Sequence, residues 1–393
     1  MNATTEPFRA AVEQSIRSGT PPTPGLIADI TAEHATTLGE GGRLAAASGL
    51  VEQLVGLGPL AGLAADGEVT DVLVNGDGSV WLDRGRGVEP ATGVRVAPED
   101  LRPLAVRLAG LAGRRLDDAQ PWVDGVLSGG VRLHAVLPPV ADGGPHVSLR
   151  FARHRPGGVE TLVGLGAATP GMATVLRALV TTHVSLVVSG GTGAGKTTVL
   201  AALLAECDPA ERIVVIEDVR ELAPEHPHVV RLQGRSANVE GRGAVTLVDL
   251  VRQALRMRPD RLVVGEVRGA EVRELLAALN TGHEGGMSTV HANGPEEVPG
   301  RIEALAALAG MPRAAVHAQL RGALGAVVHV GRADRVRRVE AVGVVVADPH
   351  DRDGVTVVRA LTAVADGLRP GPGLDHLLAL APALAGRGTV DTC

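Results

Sequence analysis

The rhythm of apolar and polar positions divides the chain. Up to about residue 65, helical and irregular stretches alternate, broken at Pro21-Pro22-Thr23-Pro24-Gly25. From Val69 the period shortens to two. Residues 69–74 read as a strand, Asn75-Gly76-Asp77-Gly78 as a turn, and residues 80–85 as the returning strand of a hairpin. Residues 98–115 carry a helical stripe of Leu101, Leu104, Ala105, Leu108 and Leu111. Residues 131–137, halted by Pro138-Pro139, and residues 147–151 are two further strands. These elements predict a small α+β domain over residues 66–154, after an N-terminal region of residues 1–65.

Residues 155–160, with Arg155-Pro156-Gly157-Gly158, read as a linker. Beyond it the alternation gives way to short apolar runs: Val184-Ser185-Leu186-Val187-Val188, Ile213-Val214-Val215-Ile216, Leu262-Val263-Val264 and Gly286-Met287-Ser288-Thr289-Val290. Such runs, separated by helical segments, predict a parallel sheet covered by helices on both faces. This second, α/β domain spans residues 161–347, and residues 348–393 form a Pro- and Gly-rich tail. Ligands of such sheets bind where the strands end, so the residues that end the runs carry the chemistry.

The first run ends in Gly190-Gly191-Thr192-Gly193-Ala194-Gly195-Lys196-Thr197-Thr198 and is followed by a helical segment. Strand, G-x-x-x-x-G-K-[ST] loop and helix form a phosphate-binding P-loop. Glycines let the backbone approach the phosphates, and the loop and helix N–H groups make an anion-binding concavity. ATP and Mg²⁺ are the expected cofactors. Lys196 would reach the β- and γ-phosphates, and the Thr197 hydroxyl would ligate Mg²⁺.

The other strand ends supply candidate catalytic groups. Glu266 follows Leu262-Val263-Val264-Gly265 and is placed to polarise water, directly or through Mg²⁺. Glu217 and Asp218 follow the 213–216 run and could hold a second water or the metal shell, or cap a helix. His283 and His291 stand eight apart around glycines, without the further ligands of a zinc site. One of them could sense the γ-phosphate or couple it to a neighbouring subunit. Arg132 and Arg150, on strands of the first domain, could act as an arginine finger or closure clamp, or could be plain surface arginines.

Composition narrows the functions. Hydrophobic residues make up 45% of the 393, yet aromatics only 1% with no tyrosine, so Val, Leu and Ala must fill the cores. A net charge of −6 and the missing stacking residues disfavour direct nucleic-acid binding and a polynucleotide helicase. Two cysteines, Cys207 and Cys393, give neither a disulfide framework nor a metal cluster and suit a reducing cytoplasm. MNATTEPFRAAVEQS lacks the pattern of a signal peptide, and no apolar run approaches the ~20 residues of a membrane span.

With these pieces in order, the sequence resembles the secretion-superfamily ATPases of type II secretion, type IV pili and type IV secretion. Within them it is most similar to the TadA/CpaF branch of tight-adherence (Flp) pilus assembly. The P-loop from Ser189 to Thr198, Ile216-Glu217-Asp218 (the family's Asp box), Val264-Gly265-Glu266-Val267-Arg268-Gly269 (its Walker B) and Asn280–Asn293 (its His box) carry the likeness. Asp71-Val72-Leu73-Val74-Asn75-Gly76 and the 132–139 segment look like its N-terminal domain. The 232–238 loop, with Arg235 and Asn238, departs from the branch, and the zinc-binding tetracysteine of many type II enzymes is absent.

The resemblance implies a RecA-like P-loop ATPase domain preceded by the smaller α+β domain. It implies a homo-hexameric ring, peripheral at the cytoplasmic face of the inner membrane and acting on membrane platform proteins. Glu266 would be the catalytic glutamate and a metal-site residue with Thr197, with Gly265 where many P-loop enzymes carry a Mg²⁺-binding Asp. Glu217 would be the Asp-box acid, His283 and His291 the His-box residues, and Arg132 and Arg150 the arginines that reach the phosphates. The function expected is an ATP-driven motor of pilus assembly or secretion. The alternatives are a conjugation-type traffic ATPase moving protein or DNA, and a non-hydrolysing nucleotide switch or scaffold.

Overall fold

The computed structural model describes residues 56–85, 87–151, 157–235, 242–333, 336–365 and 367–385, with isolated positions 29, 30 and 33. Most of the 1–65 region, residues 155–156 of the linker and Asn238 lie outside them. The chain divides into two compact units, Met1–Arg153 and His154–Cys393.

From residue 56 on, the described part of the first unit runs through α1 (Ala61–Ala65), β1 (Asp71–Val74), β2 (Ser79–Asp83), β3 (Val88–Arg95), α2 (Pro98–Leu111), β4 (Trp122–Val126), β5 (Arg132–Val136) and β6 (His146–Arg150). All six strands join one antiparallel sheet in the order β3-β2-β1-β6-β5-β4. The β1–β2 hairpin pairs Val74 with Val80, and Gly78 N–H closes the turn on the Asn75 carbonyl at 2.9 Å. Val72, Val74, Val80 and Leu82 bury one face against Leu101, Leu104, Ala105 and Leu108 of α2. Leu111, the last member of the stripe, is 44% exposed because α2 ends there. Two strands carried no sequence signal: β3, with Pro90 and Gly93, and β4 are the edges of the sheet.

The second unit runs α3 (Val159–Gly164), α4 (Pro170–Thr181), β7 (Leu186–Gly190), α5 (Lys196–Ala205), β8 (Ile213–Glu217), β9 (Val229–Gln233), α6 (Leu247–Ala254), β10 (Arg261–Val264), α7 (Glu271–Leu279), β11 (Met287–Val290), α8 (Val298–Leu308), α9 (Arg313–Ala323), β12 (Ala326–Ala333), β13 (Val336–Ala347), β14 (Val355–Val364), β15 (Gly367–Pro370) and α10 (Leu374–Leu380). Its sheet has nine strands in the order β15-β14-β13-β12-β7-β11-β10-β8-β9. Every pair from β12 to β9 is parallel, which places the P-loop strand β7 inside the parallel part.

The apolar runs are buried on both faces, as their composition demands. In β7, Leu186 and Val188 face a core shared with α3, α4, α5 and α10, whereas Val187 faces the core of α6, α7, α8 and α9. The segment set apart as a tail does not lie outside this fold. β14 and β15 pair antiparallel onto β13, and Leu377 of α10 is fully buried in the first core. Val355, Val357, Ala360 and Leu361 supply enough alternating burial to make β14 a sheet strand.

Candidate active site

The P-loop strand delivers its loop to the open end of the parallel sheet. Gly195 caps α5 with φ of 102°, a left-handed conformation that a side chain would strain. Gly191, Thr192, Gly193 and Thr198 are exposed, Thr197 is half-buried, and Ala194 packs into the core. The loop is thus anchored by Ala194 while Gly191, Thr192 and Gly193 are exposed.

Lys196, the first residue of α5, is only 8% exposed. Its ammonium donates to the carbonyls of Gly190 (3.0 Å) and Gly191 (2.9 Å), and to His291 Nδ1 at 3.2 Å. Burial pushes the Lys196 pKa below its ordinary value, and the Glu266 charge opposes that shift. An ammonium lends no lone pair, so His291 Nδ1 must accept and the ring proton sits on Nε2. That nitrogen stands 2.6 Å from Glu266 Oε1. Burial first, and then the Lys196 charge, lower the His291 pKa, which fits a neutral ring.

Glu266 lies just beyond β10. Thr289 Oγ1 donates to Gly265 O at 2.7 Å and Thr289 O accepts from Val267 N at 2.9 Å, so the residues on both sides of Glu266 are tied to β11. Arg268 forms an ion pair with the other carboxylate oxygen. Glu266 Oε1 is buried and lacks an aligned hydrogen-bond donor among the described residues, since its short contact with His291 is poorly directed. A buried, accepting carboxylate oxygen of this kind fits a water to be polarised. Arg268 was missed as a partner, its only signal being two residues' separation from Glu266 in one loop.

Glu217 ends β8 and is 6% exposed. Its Oε1 accepts from the N–H groups of Glu221 and Leu222, both at 3.0 Å, and so shapes the loop that follows. His283 is placed elsewhere. It precedes β11, whereas His291 follows it, and β11 runs parallel to β7. His283 therefore lies at the end of the strands opposite the P-loop, with Nδ1 3.3 Å from Ala278 O. One chain brings Lys196, Glu266 and His291 together and leaves His283 apart.

In the first unit, Arg132 and Arg150 are direct cross-strand partners on β5 and β6, and Arg150 is also opposite Asp71 of β1. Arg150 Nε donates to Asp71 Oδ1 at 2.9 Å, with the Arg150 side chain 58% exposed. Sequence spacing gave no hint that the two arginines are neighbours. Arg235 of the atypical loop is used locally, its Nε donating to Gly243 O at 2.7 Å. A further missed pair lies behind the P-loop, where buried Ser189 and His329 share a 2.9 Å hydrogen bond from β7 to β12.

The donor set fits a nucleotide triphosphate. The loop is an exposed glycine-rich turn at a helix start, Lys196 is an ammonium beside it, and Thr197 and Glu266 are oxygen donors of the kind Mg²⁺ uses together with phosphate oxygens and water. Fold and site thus define a P-loop nucleotide-binding protein of RecA-like architecture.

Comparison with known proteins sharpens this. The family described as type II/IV secretion system protein matches residues 53–347, and the chain belongs to that family. A Mycobacterium tuberculosis protein, provisionally named for conjugal transfer, is 56% identical over 296 residues, covering 74% of this chain and 84% of its own. The conjugal transfer protein TrbB of Rhizobium radiobacter is 31% identical over 282 residues (70% and 84%). The type IV secretion system protein PtlH of Bordetella pertussis is 33% identical over 249 residues (57% and 73%). Among solved structures, the Legionella pneumophila ATPase DotB shares the fold, with a TM-score of 0.52, 20% identity and coverage of 75% and 81%.

Proposed function

We propose that this protein hydrolyses ATP as a hexameric ring motor that drives a secretion or pilus machine through inner-membrane platform proteins. The observation that carries the reading is the cluster of Lys196, His291 and Glu266, which sets a neutral imidazole between the phosphate loop and a carboxylate. In this reading Lys196 leaves the carbonyls of Gly190 and Gly191 for phosphate oxygens, and Glu266 takes a proton from the attacking water. Mg²⁺, held by Thr197 and Glu266, would neutralise phosphate charge. Arg132 and Arg150 are the proposed further phosphate contacts, Glu217 orders the loop beside the site, and His283 couples it to a neighbouring subunit.

The work proposed is Flp-type pilus assembly, carried by the sequence motifs. A conjugation-type transfer ATPase is the second reading, favoured by the names of the M. tuberculosis and R. radiobacter relatives. Among the described residues no helix is long and apolar enough to cross a membrane, and the proposed location is peripheral, at the cytoplasmic face of the inner membrane. The test is ATP turnover and oligomeric mass measured together with Mg²⁺ present, for wild type and Glu266→Gln. A six-membered ring whose turnover falls about 10²- to 10⁴-fold in the variant is expected. A wild-type monomer that binds ATP without turning it over would sink the motor and leave the switch.

A further inference from the structure

β12 runs parallel to β7 up to the pairing of Val330 with Gly190 and then continues past the end of that strand. Its hairpin with β13 therefore flanks the P-loop, with Gly331 opposite Arg338 and Arg332 opposite Arg337. Successive strand residues face opposite ways. Val339 packs into the same core as Ala194 and Val199, so Arg337, two residues earlier, is on the P-loop side. The contact bears this out: a Cβ added to Gly195 would stand 3.5 Å from Arg337 Cδ and 3.8 Å from its Cβ. The Arg337 stem lies over the residue that caps α5.

Arg337 is exposed and makes no hydrogen bond or ion pair with any described residue. A helix N-terminus carries positive partial charge. A guanidinium set beside it is repelled unless an anion lies between them. The sheet order says which part of that anion. Glu266 and His291 approach the loop from the β10 and β11 side of β7, and the hairpin approaches from the β12 side. A triphosphate whose terminal phosphate faces Glu266 turns its nucleoside end towards β12.

We propose that Arg337 is a nucleotide-binding residue that grips the α-phosphate and nucleoside end, contributing to affinity for ATP and ADP alike and little to the hydrolytic step. This rests on the nucleotide reading above. Arg338 carries the same charge one position on but faces the other side of the strand, so it serves as the control for mere loss of charge.

The test is the Kd of Mg·ADP for the full chain as wild type, Arg337→Ala, Arg337→Lys and Arg338→Ala, with ATP turnover alongside. Thermal melts confirm that each variant is folded. Arg337→Ala is expected to weaken ADP binding and raise KM about 10- to 100-fold, the range of hydrogen bonds to a charged group. Its kcat at saturating ATP stays within about twofold, Arg337→Lys recovers part of the loss, and Arg338→Ala binds within about twofold of wild type. Unchanged ADP binding in Arg337→Ala, or equal weakening in both alanine variants, overturns the assignment while leaving the ATPase reading standing. A wild-type chain that binds neither ADP nor ATP overturns both.

Discussion

Gly265 and Glu217 share one space: a methyl group added to Gly265 would stand 2.6 Å from Glu217 Cγ and 3.1 Å from its Oε1. This gives a physical reason for a glycine just before Glu266. The Glu217 side chain fills the position beside β10 where a residue with any side chain would point. Its carboxylate is meanwhile committed to the N–H groups of Glu221 and Leu222.

Gly265→Ala is accordingly expected to push Glu217 off its loop. Overpacking of this kind costs about 1–3 kcal/mol, and urea unfolding would read it. ATP turnover should fall as Glu266 shifts with its neighbour. Gly265→Asp should be worse, because the longer side chain meets the same obstacle. A Gly265→Ala protein as stable and active as wild type would show that Glu217 yields freely.

Two histidines set an acid limit. Burial is the first cause that holds both His291 and His329 below the usual imidazole value of 6.5; the Lys196 charge adds to it at His291, and the Glu340 charge opposes it at His329. A histidine depressed in the folded state binds its proton more readily when unfolded. Its contribution to stability is therefore complete above pH 6.5 and is lost as pH falls through 6.5 towards the lower folded values. Denaturant midpoints should drop on acidification through that window, and His329→Gln should flatten the slope. A wild-type protein that gains stability on acidification there would contradict the assignment.

How far the site could be read in advance depended on how local its signals were. The runs at 184–188, 213–216, 262–264 and 286–290 gave the strands, and each strand end gave its candidate directly, because position along a buried strand fixes which edge a residue reaches. The first unit was legible where alternation was clean, as in β1 and β2, and not at edge strands such as β3. What stayed hidden was pairing across distance. Nothing near Ser189 announces His329, nothing near Arg132 announces Arg150, and the Arg337 contact with Gly195 exists only because β12 lies beside β7. Sequence proximity also hides separation: β11 (Met287–Val290) lies between His283 and His291, so the two stand at opposite ends of that strand.

Arg268 holds one oxygen of Glu266 while the other faces His291. Arg268→Ala should free the carboxylate to rotate and lower kcat for ATP by about 10-fold or more, with little change in ADP affinity, since orientation of the base is what is lost. Arg268→Lys should restore part of the rate by supplying one charged donor. Steady-state kinetics with an ADP titration separates the two effects. A change confined to ADP affinity would instead make Arg268 a binding residue.

The strand ends opposite the P-loop hold a buried charge pair. Arg261 is 1% exposed and donates from Nε and Nη2 to Glu211 at 2.8 and 3.1 Å, to Val180 O at 2.9 Å and to Gly285 O at 3.3 Å. His183 Nε2 stands 3.1 Å from Glu211 Oε1. One side chain thus binds the end of α4, the start of β8 and the loop that carries His283. Arg261→Met would leave Glu211 as a buried charge without its main partner, and breaking such a pair by removing one member costs about 3–5 kcal/mol. Pairing the change with Glu211→Leu should recover much of that loss, because it removes the stranded carboxylate. The double variant still lacks the bond to Gly285 O, so faster amide exchange should persist in the 281–286 loop. If the double variant is no more stable than Arg261→Met, the penalty comes from lost packing around Arg261 rather than from the uncompensated charge.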